Sequence, residues 1–465
     1  GKDSMSGSFL DLDVPPTLVS FAIAPARARE VLSPEFKGPG SGVYLWPVPQ
    51  GDFAGIRRTW EEFHALCQQG AVRSAWALGS GGMAQAVLNM VMGNAVGFAL
   101  DKGYDVEDFF APRCGEILFE ADGEVPGAIP VGRTVPGDRG VTLGTRASLS
   151  LNELLSYWEA PLDQVYPTAT EADWDDRWPR VEAISCPGRS PAVFTGEKGT
   201  PRAVIPVFPG TNCEYDTAAA CLRAGISPEI VVVRNLTPEA LRESAQALVE
   251  AIGRAQMVIL PGGFSGGDEP DGSAKFICSF FRNSALTDAT HDLLQNRDGL
   301  MLGICNGFQA LIKLGLVPFG AIRPMDEGCP TLTYNHIGRH QSRYVTTRVA
   351  SVHSPWMLKS RVGDLHTIPI SHGEGRFVCP PALLRDLIAA GQVATQYVSP
   401  FTRQPDMHID VNPNGSDACV EGLFSPDGRV FGKMGHSERY GRYVAKNIPG
   451  EKYQPLFESG AAYFK

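Results

Sequence analysis

The residues best suited to covalent chemistry are one cysteine and one histidine–glutamate pair. Cys305 stands in Gly303-Ile304-Cys305-Asn306-Gly307-Phe308-Gln309. It follows the apolar run Leu300 to Ile304 and precedes Phe308 to Leu314, which reads as a helix ended by Gly315. Strand, Gly-x-Cys-x-Gly turn and helix predict a nucleophile elbow with a thiol in place of a serine hydroxyl. Such a turn needs residues without a Cβ, because the chain bends sharply and substrate must approach the backbone. The helix N-terminus aims its dipole at Cys305 and favours the thiolate. A buried cysteine is more often a small hydrophobe; the spacing between strand and helix selects the nucleophile.

A thiol nucleophile needs a base, a group that orients the base, and donors for an oxyanion. Gly435-His436-Ser437-Glu438-Arg439 supplies the first two. In extended backbone, residues i and i+2 point the same way, so Glu438 can reach the far nitrogen of His436 and fix its tautomer. A backbone N–H of Gly262-Gly263 and the N–H of Asn306 are the candidate oxyanion donors, each worth about 2.7–4 kcal/mol in such a site. An ordinary turn would also account for Gly262-Gly263.

The elements around these residues alternate regularly from Arg202 onward. Strands are expected at Ala203 to Phe208, Glu229 to Val233, Met257 to Leu260 and Leu300 to Ile304. Helices are expected from near Glu214 to Gly225 and from Pro238 to Gly253, with a further helical stretch before Leu300. The pattern implies an α/β fold, a parallel sheet with helices on both faces and active groups at the strand C-termini. Cys213 has no base in its local sequence and reads as structural.

Upstream the organisation changes. Gly1-Lys2-Asp3-Ser4-Met5 leads into an apolar stretch, Val14 to Ala24, that reads as a strand without an earlier partner. A lone strand buries neither face, so the chain reads as the C-terminal piece of a longer polypeptide; an arm that pairs with another subunit is the alternative. Gly38 to Gly42 is a breaker cluster. A helix over Thr59 to Gln69 and strands over Val72 to Leu78, Glu116 to Glu120 and Gly140 to Leu143 follow. Gly79-Ser80-Gly81-Gly82 feeds a helix whose Ala84, Val87, Leu88 and Val91 share a face. Phosphate binding and close backbone packing both fit that turn, with packing the better fit. Prolines and acids between about 160 and 200 mark a linker or wrapping segment, and Trp174 and Trp178 within it are expected to dock on a neighbouring domain.

Composition bounds the function classes. The 465 residues allow two or three domains, and 43% apolar with 20% charged residues is ordinary for a globular protein. A formal net charge of −10 argues against nucleic acid as an obligatory partner. No apolar run nears the ~18 residues that read as a membrane span, and no signal region opens the chain. Ten scattered cysteines without a Cys-x-x-Cys pair suit reduced cytoplasmic thiols and no metal site.

Residues 202 to 465 resemble the class I glutamine amidotransferase domain, and the chain more narrowly resembles the C-terminal portion of the large, single-chain phosphoribosylformylglycinamidine synthases. The resemblance is carried by Pro209-Gly210-Thr211-Asn212-Cys213-Glu214, Gly262-Gly263-Phe264-Ser265-Gly266-Gly267-Asp268-Glu269, the Cys305 elbow, Ile370-Ser371-His372-Gly373-Glu374-Gly375-Arg376 and Gly435 to Arg439. It implies a flavodoxin-like amidotransferase domain over 202–465, a linker over 166–201 and an α+β synthetase domain (AIR synthase-like, C-terminal part) over 41–165. Residues 1–40 would be the tail of a truncated ATP-binding-like domain. The implied activity is glutamine hydrolysis through a Cys305 thioester, with His436 moving protons and Glu438 holding the imidazole. Ammonia would pass to upstream synthetase domains that amidate formylglycinamide ribonucleotide. ATP and Mg2+ serve that later step at a site mostly outside this chain; the glutaminase step needs no cofactor. The resemblance assigns glutamine binding to Gln309, Ser371 and His372, with Asn335 and Arg343 in the same pocket; His372 would act through its side chain or its backbone alone. Other amidotransferases, a catalytically idle module of the same fold and a peptide-directed cysteine hydrolase are the rival readings.

Overall fold

The computed structural model describes residues 7–9, 12–14, 18, 20–174, 178–264 and 273–465. The chain divides into two compact units, Gly1–Tyr166 and Pro167–Lys465.

In the first unit β1 (Gly7–Phe9) and β2 (Leu12–Val14) pair antiparallel. Of the strand expected over Val14 to Ala24, residues 15–17 and 19 lie outside the described residues. Residues 20–24 are in no strand, and Phe21 and Ile23 stand in solvent. Extended backbone becomes sheet only where a neighbour accepts its ladder bonds. The loop Gly1 to Met5 lies outside the described residues. Seven further strands build a mostly antiparallel sheet: β3 (Gly42–Trp46), β4 (Ser74–Ala77), β5 (Gly97–Leu100), β6 (Ile117–Ala121), β7 (Ile129–Val135), β8 (Val141–Leu143) and β9 (Ala147–Leu149). Their order is β4-β6-β3-β7-β5-β8-β9, with only β5 and β8 parallel. Helix Gly82–Met92 buries Met83, Ala86, Val87, Met90 and Val91, while Ala84 and Leu88 flank that face half-buried. These side chains join Phe36, Val43 and Phe98 in a core of their own.

The second unit carries the alternating pattern. Its strands are β10 (Arg202–Val207), β11 (Ser227–Val232), β12 (Met257–Leu260), β13 (Leu300–Ile304), β14 (Thr331–Tyr334), β15 (Gln341–Val349), β16 (Leu365–His372), β17 (Glu374–Val378), β18 (Val393–Tyr397), β19 (Val420–Phe424) and β20 (Val430–Lys433). The main sheet has the order β11-β10-β12-β13-β20-β19-β18-β15-β16. From β11 to β20 the neighbours are parallel; beyond β20 each pairing is antiparallel. β12 and β13 are buried along their whole length, as expected for parallel strands covered on both faces. The chain leaves β10 toward β11, then returns to build β12, β13 and β20 on the other side. That reversal is a topological switch point, where the strand C-termini open a crevice.

The proline-rich segment before β10 wraps this unit. The Ile184 N–H donates to the Gln396 side chain, and Arg189 donates to the carbonyls of Met357 and Ser360. Trp178 meets the His336 ring edge-on at 5.0 Å, so the expected docking is within this unit. The side chain of Trp174 and residues 175–177 lie outside the described residues.

Candidate active site

Four strand C-termini meet at one place. β13 ends at Cys305, β20 leads to His436, β12 leads to Gly262-Gly263, and β10 leads to Cys213. Cys305 has φ +53° and ψ −106°, a conformation that costs a residue with a Cβ on the order of 1–3 kcal/mol. The turn is held because the Cys305 N–H donates to the Lys433 carbonyl at 2.8 Å and its own carbonyl accepts from Gln309 N–H at 3.0 Å. Gly307 explains the elbow's glycine: a Cβ there would come within 2.0 Å of the Leu260 carbonyl. Helix Asn306–Leu314 therefore seats directly on the end of β12, with its N-terminus beside the thiol.

His436 is 1% exposed, and its Nδ1–H donates to Glu438 Oε1 at 2.6 Å. Its Nε2 is buried with no hydrogen-bond partner among the described residues, free to exchange a proton. Burial pushes the imidazole pKa down, but the charges of Glu438 and Cys305 prevail and hold it well above its ordinary value. Burial likewise pushes the Glu438 carboxyl up, and the facing imidazole holds it below the usual range. A ring so tuned holds its proton readily. Gly263 has φ +150°, and a Cβ on it would meet the Gly210 carbonyl at 2.6 Å. Its N–H donates to no backbone carbonyl among the described residues. The stretch Ser265 to Glu269 lies outside the described residues.

The remaining sequence-derived residues separate. The Cys305 thiol donates to the Ser371 carbonyl at 3.6 Å, which brings the end of β16 to that thiol. Ser371 Oγ pairs with His340 Nε2 at 3.1 Å. Gln309 is buried with both ends of its amide engaged: Oε1 accepts from Asn306 Nδ2 at 2.9 Å and Nε2 donates to the Glu374 carbonyl. His372 donates from Nδ1 to Asn335 Oδ1 at 3.1 Å, and burial together with nearby His436 pushes its pKa down to about 3. Asn335 Nδ2 in turn donates to the His372 carbonyl at 2.8 Å. Arg343 reaches Asp410 at 3.3 Å and the Ile409 carbonyl, and lies opposite Ile370 in the β15–β16 ladder.

Two neighbours of His436 escape a linear reading. Cys213 lies 4.0 Å from its Nδ1 and accepts from Arg439 at 3.1 Å, so the turn after β20 brings an imidazole and a guanidinium to a thiol whose local sequence has neither. The usable signal was position: Cys213 closes the turn after β10, a strand C-terminus like that of Cys305. The other is Lys433, fully buried, whose Nζ donates to the Gly435 carbonyl at 2.9 Å and Ser437 Oγ at 2.8 Å. It faces Glu421 at 3.4 Å, and Glu421 accepts the Gly435 N–H at 2.7 Å.

The family model of the CobB/CobQ-like glutamine amidotransferase domain matches residues 200–464. The PurQ subunit of phosphoribosylformylglycinamidine synthase from Aquifex aeolicus is 34% identical over 235 residues, 50% of this chain and 88% of that protein. Its counterpart from Symbiobacterium thermophilum is 33% identical over 249 residues, 53% of this chain and 91% of that one. The chain belongs to the glutamine amidotransferase family of the PurQ subunits. A solved structure of PurLQS from Thermotoga maritima is 29% identical, covering 57% of this chain and all of that one, with a TM-score of 0.41. In this amidotransferase, the matched region takes in the whole sheet from β10 to β20 and every residue of the site.

Proposed function

We propose that the chain is the glutamine-hydrolysing, ammonia-donating part of a phosphoribosylformylglycinamidine synthase, a carbon–nitrogen ligase of purine biosynthesis. The observation that carries the chemistry is His436, clamped by Glu438 at Nδ1 and open at Nε2, beside a strained thiol at a helix N-terminus. Cys305 gives its proton to His436 Nε2, and the thiolate sulfur attacks the side-chain amide carbon of glutamine. The N–H groups of Gly263 and Asn306 take the oxyanion. Collapse breaks the carbon–nitrogen bond, and the nitrogen leaves as ammonia with the proton returned by His436. Water, deprotonated by the same imidazole, then frees glutamate from the thioester. Ser371 and His372 present the end of β16 to the substrate. Gln309 and Asn335 shape that wall through the bonds they already hold.

The relatives are named as synthase subunits, so the ammonia formed here is passed to synthetase domains that consume ATP. The acceptor is formylglycinamide ribonucleotide, with Mg2+ accompanying the nucleotide at that second site. Hydrolysis itself uses only side chains and backbone donors of this chain. A free thiol nucleophile suits a reducing compartment, the cytoplasm. Among the described residues no helix is long and apolar enough to cross a membrane. The test is glutamate release from glutamine by the full chain and by Cys305→Ala. Release by the first and not by the second is expected, whereas undiminished release by Cys305→Ala would overturn the assignment.

A further inference from the structure

Cys213 Sγ, His436 Nδ1 and a carboxylate oxygen of Glu438 lie within 4.8 Å of one another, and all three residues are buried. We propose that they form an inhibitory site for a soft divalent cation of the zinc class. Inhibition, though not binding, rests on the role given to His436 above.

The donor set is thiolate, imidazole and carboxylate, the ligands zinc takes at about 2.0–2.3 Å. Tetrahedral angles at those lengths separate sulfur from nitrogen by about 3.6 Å and nitrogen from oxygen by about 3.4 Å. The observed 4.0 Å between Cys213 Sγ and His436 Nδ1 needs only a small closure, while the 2.6 Å bond from Nδ1 to Glu438 must open. A second observation points to a ligand. Glu438 Oε2 is buried with no hydrogen-bond partner among the described residues, an acceptor that a cation would satisfy. The Cys213 thiol now donates to Asn212 Oδ1 at 3.1 Å and would release that proton when its sulfur binds metal. Arg439, donating to the same sulfur at 3.1 Å, supports the thiolate as an outer-shell partner. Its charge also opposes a second cation, which suits a site that empties over one that holds a resident metal.

Occupancy would stop hydrolysis through the tautomer. A metal on Nδ1 displaces the hydrogen there, so the ring keeps its proton on Nε2 and cannot accept one from Cys305.

The probe is Co2+, then Zn2+, added to the full chain carrying Cys305→Ala, which removes the nucleophile as a competing ligand. A thiolate-to-cobalt charge-transfer band that Zn2+ displaces is expected, and Cys213→Ala in that background should abolish it. Glu438→Gln in the same background should weaken Zn2+ binding at least about tenfold, the lower end of what even an outer-shell loss costs. In a chain with Cys305 intact, Cys213→Ser should require at least about tenfold more Zn2+ for the same inhibition of glutaminase activity. No band with Cys305→Ala, a band that survives loss of Cys213, or unchanged binding in Glu438→Gln would each overturn the site. So would Zn2+ inhibition unaltered by Cys213→Ser. Should the Cys213 variants fail to fold by circular dichroism, the Glu438→Gln arm still decides. A band without glutaminase activity in the intact chain would refute the proposed function and leave the metal site standing.

Discussion

Glu438 shows how much one atom pair fixes. Its bond to Nδ1 sets which nitrogen of His436 is free; burial pushes the ring's pKa down, and the charges of Glu438 and Cys305 together hold it well above its ordinary value. Glu438→Gln should lower kcat about 10²–10⁴-fold, the range of general acid–base catalysis, with KM little changed. The same substitution should move the pH at which activity is lost through imidazolium deprotonation to a lower value, read from kcat/KM against pH. Stability follows the same shifts. The raised pKa of folded His436 stabilises the protein fully below the unfolded value of about 6.5, and that contribution fades as pH rises through the folded value. The lowered pKa of Glu438 works in reverse: its contribution is present above about 4.3 and is lost as pH falls through the folded value. The i, i+2 spacing made the pair legible. Cys213 was not, because its partner lies more than two hundred positions along the chain.

At the scale of elements, the site is a set of strand ends that must stay in register. Lys433 is the joint: its carbonyl holds the Cys305 N–H, and its ammonium holds the turn that carries His436. Burial pushes the Lys433 pKa down, with Glu421 opposing. Removing one member of a buried pair costs about 3–5 kcal/mol, whereas replacing both by apolar residues is often neutral. Lys433→Met should therefore lower the denaturant midpoint sharply, and Lys433→Met with Glu421→Leu should recover much of it. Activity should stay low in both, because neither restores the bonds to Gly435 and Ser437. Equal activity in the double variant and the parent would show that the brace is dispensable. The elbow helix and the parallel strands were readable from apolar runs and glycines. The antiparallel extension was not: β16 ends the sheet order, yet it returns to the site through Pro369, which accepts the His436 N–H, and through Ser371.

For the whole molecule, the two units have separate cores, one around Phe36, Val43 and Phe98 and the other around β12 and β13. Domains with separate cores unfold as separate cooperative units unless a large apolar interface couples them. Calorimetry should resolve two transitions, and Lys433→Met should lower only one; a single transition displaced as a whole would show that the units unfold together.

What the sequence determined alone is local chemistry. An apolar run, a Gly-x-Cys-x-Gly turn and an i, i+2 His–Glu pair specify an elbow that carries a thiol and a histidine bonded to a carboxylate, because sterics and strand alternation act between near neighbours. The tertiary structure decided which thiol stands on the far side of His436, which lysine braces its turn and which edge strand returns to Cys305. These follow from strand order and from the need to pair every buried charge and polar group, and no local period of the sequence encodes either.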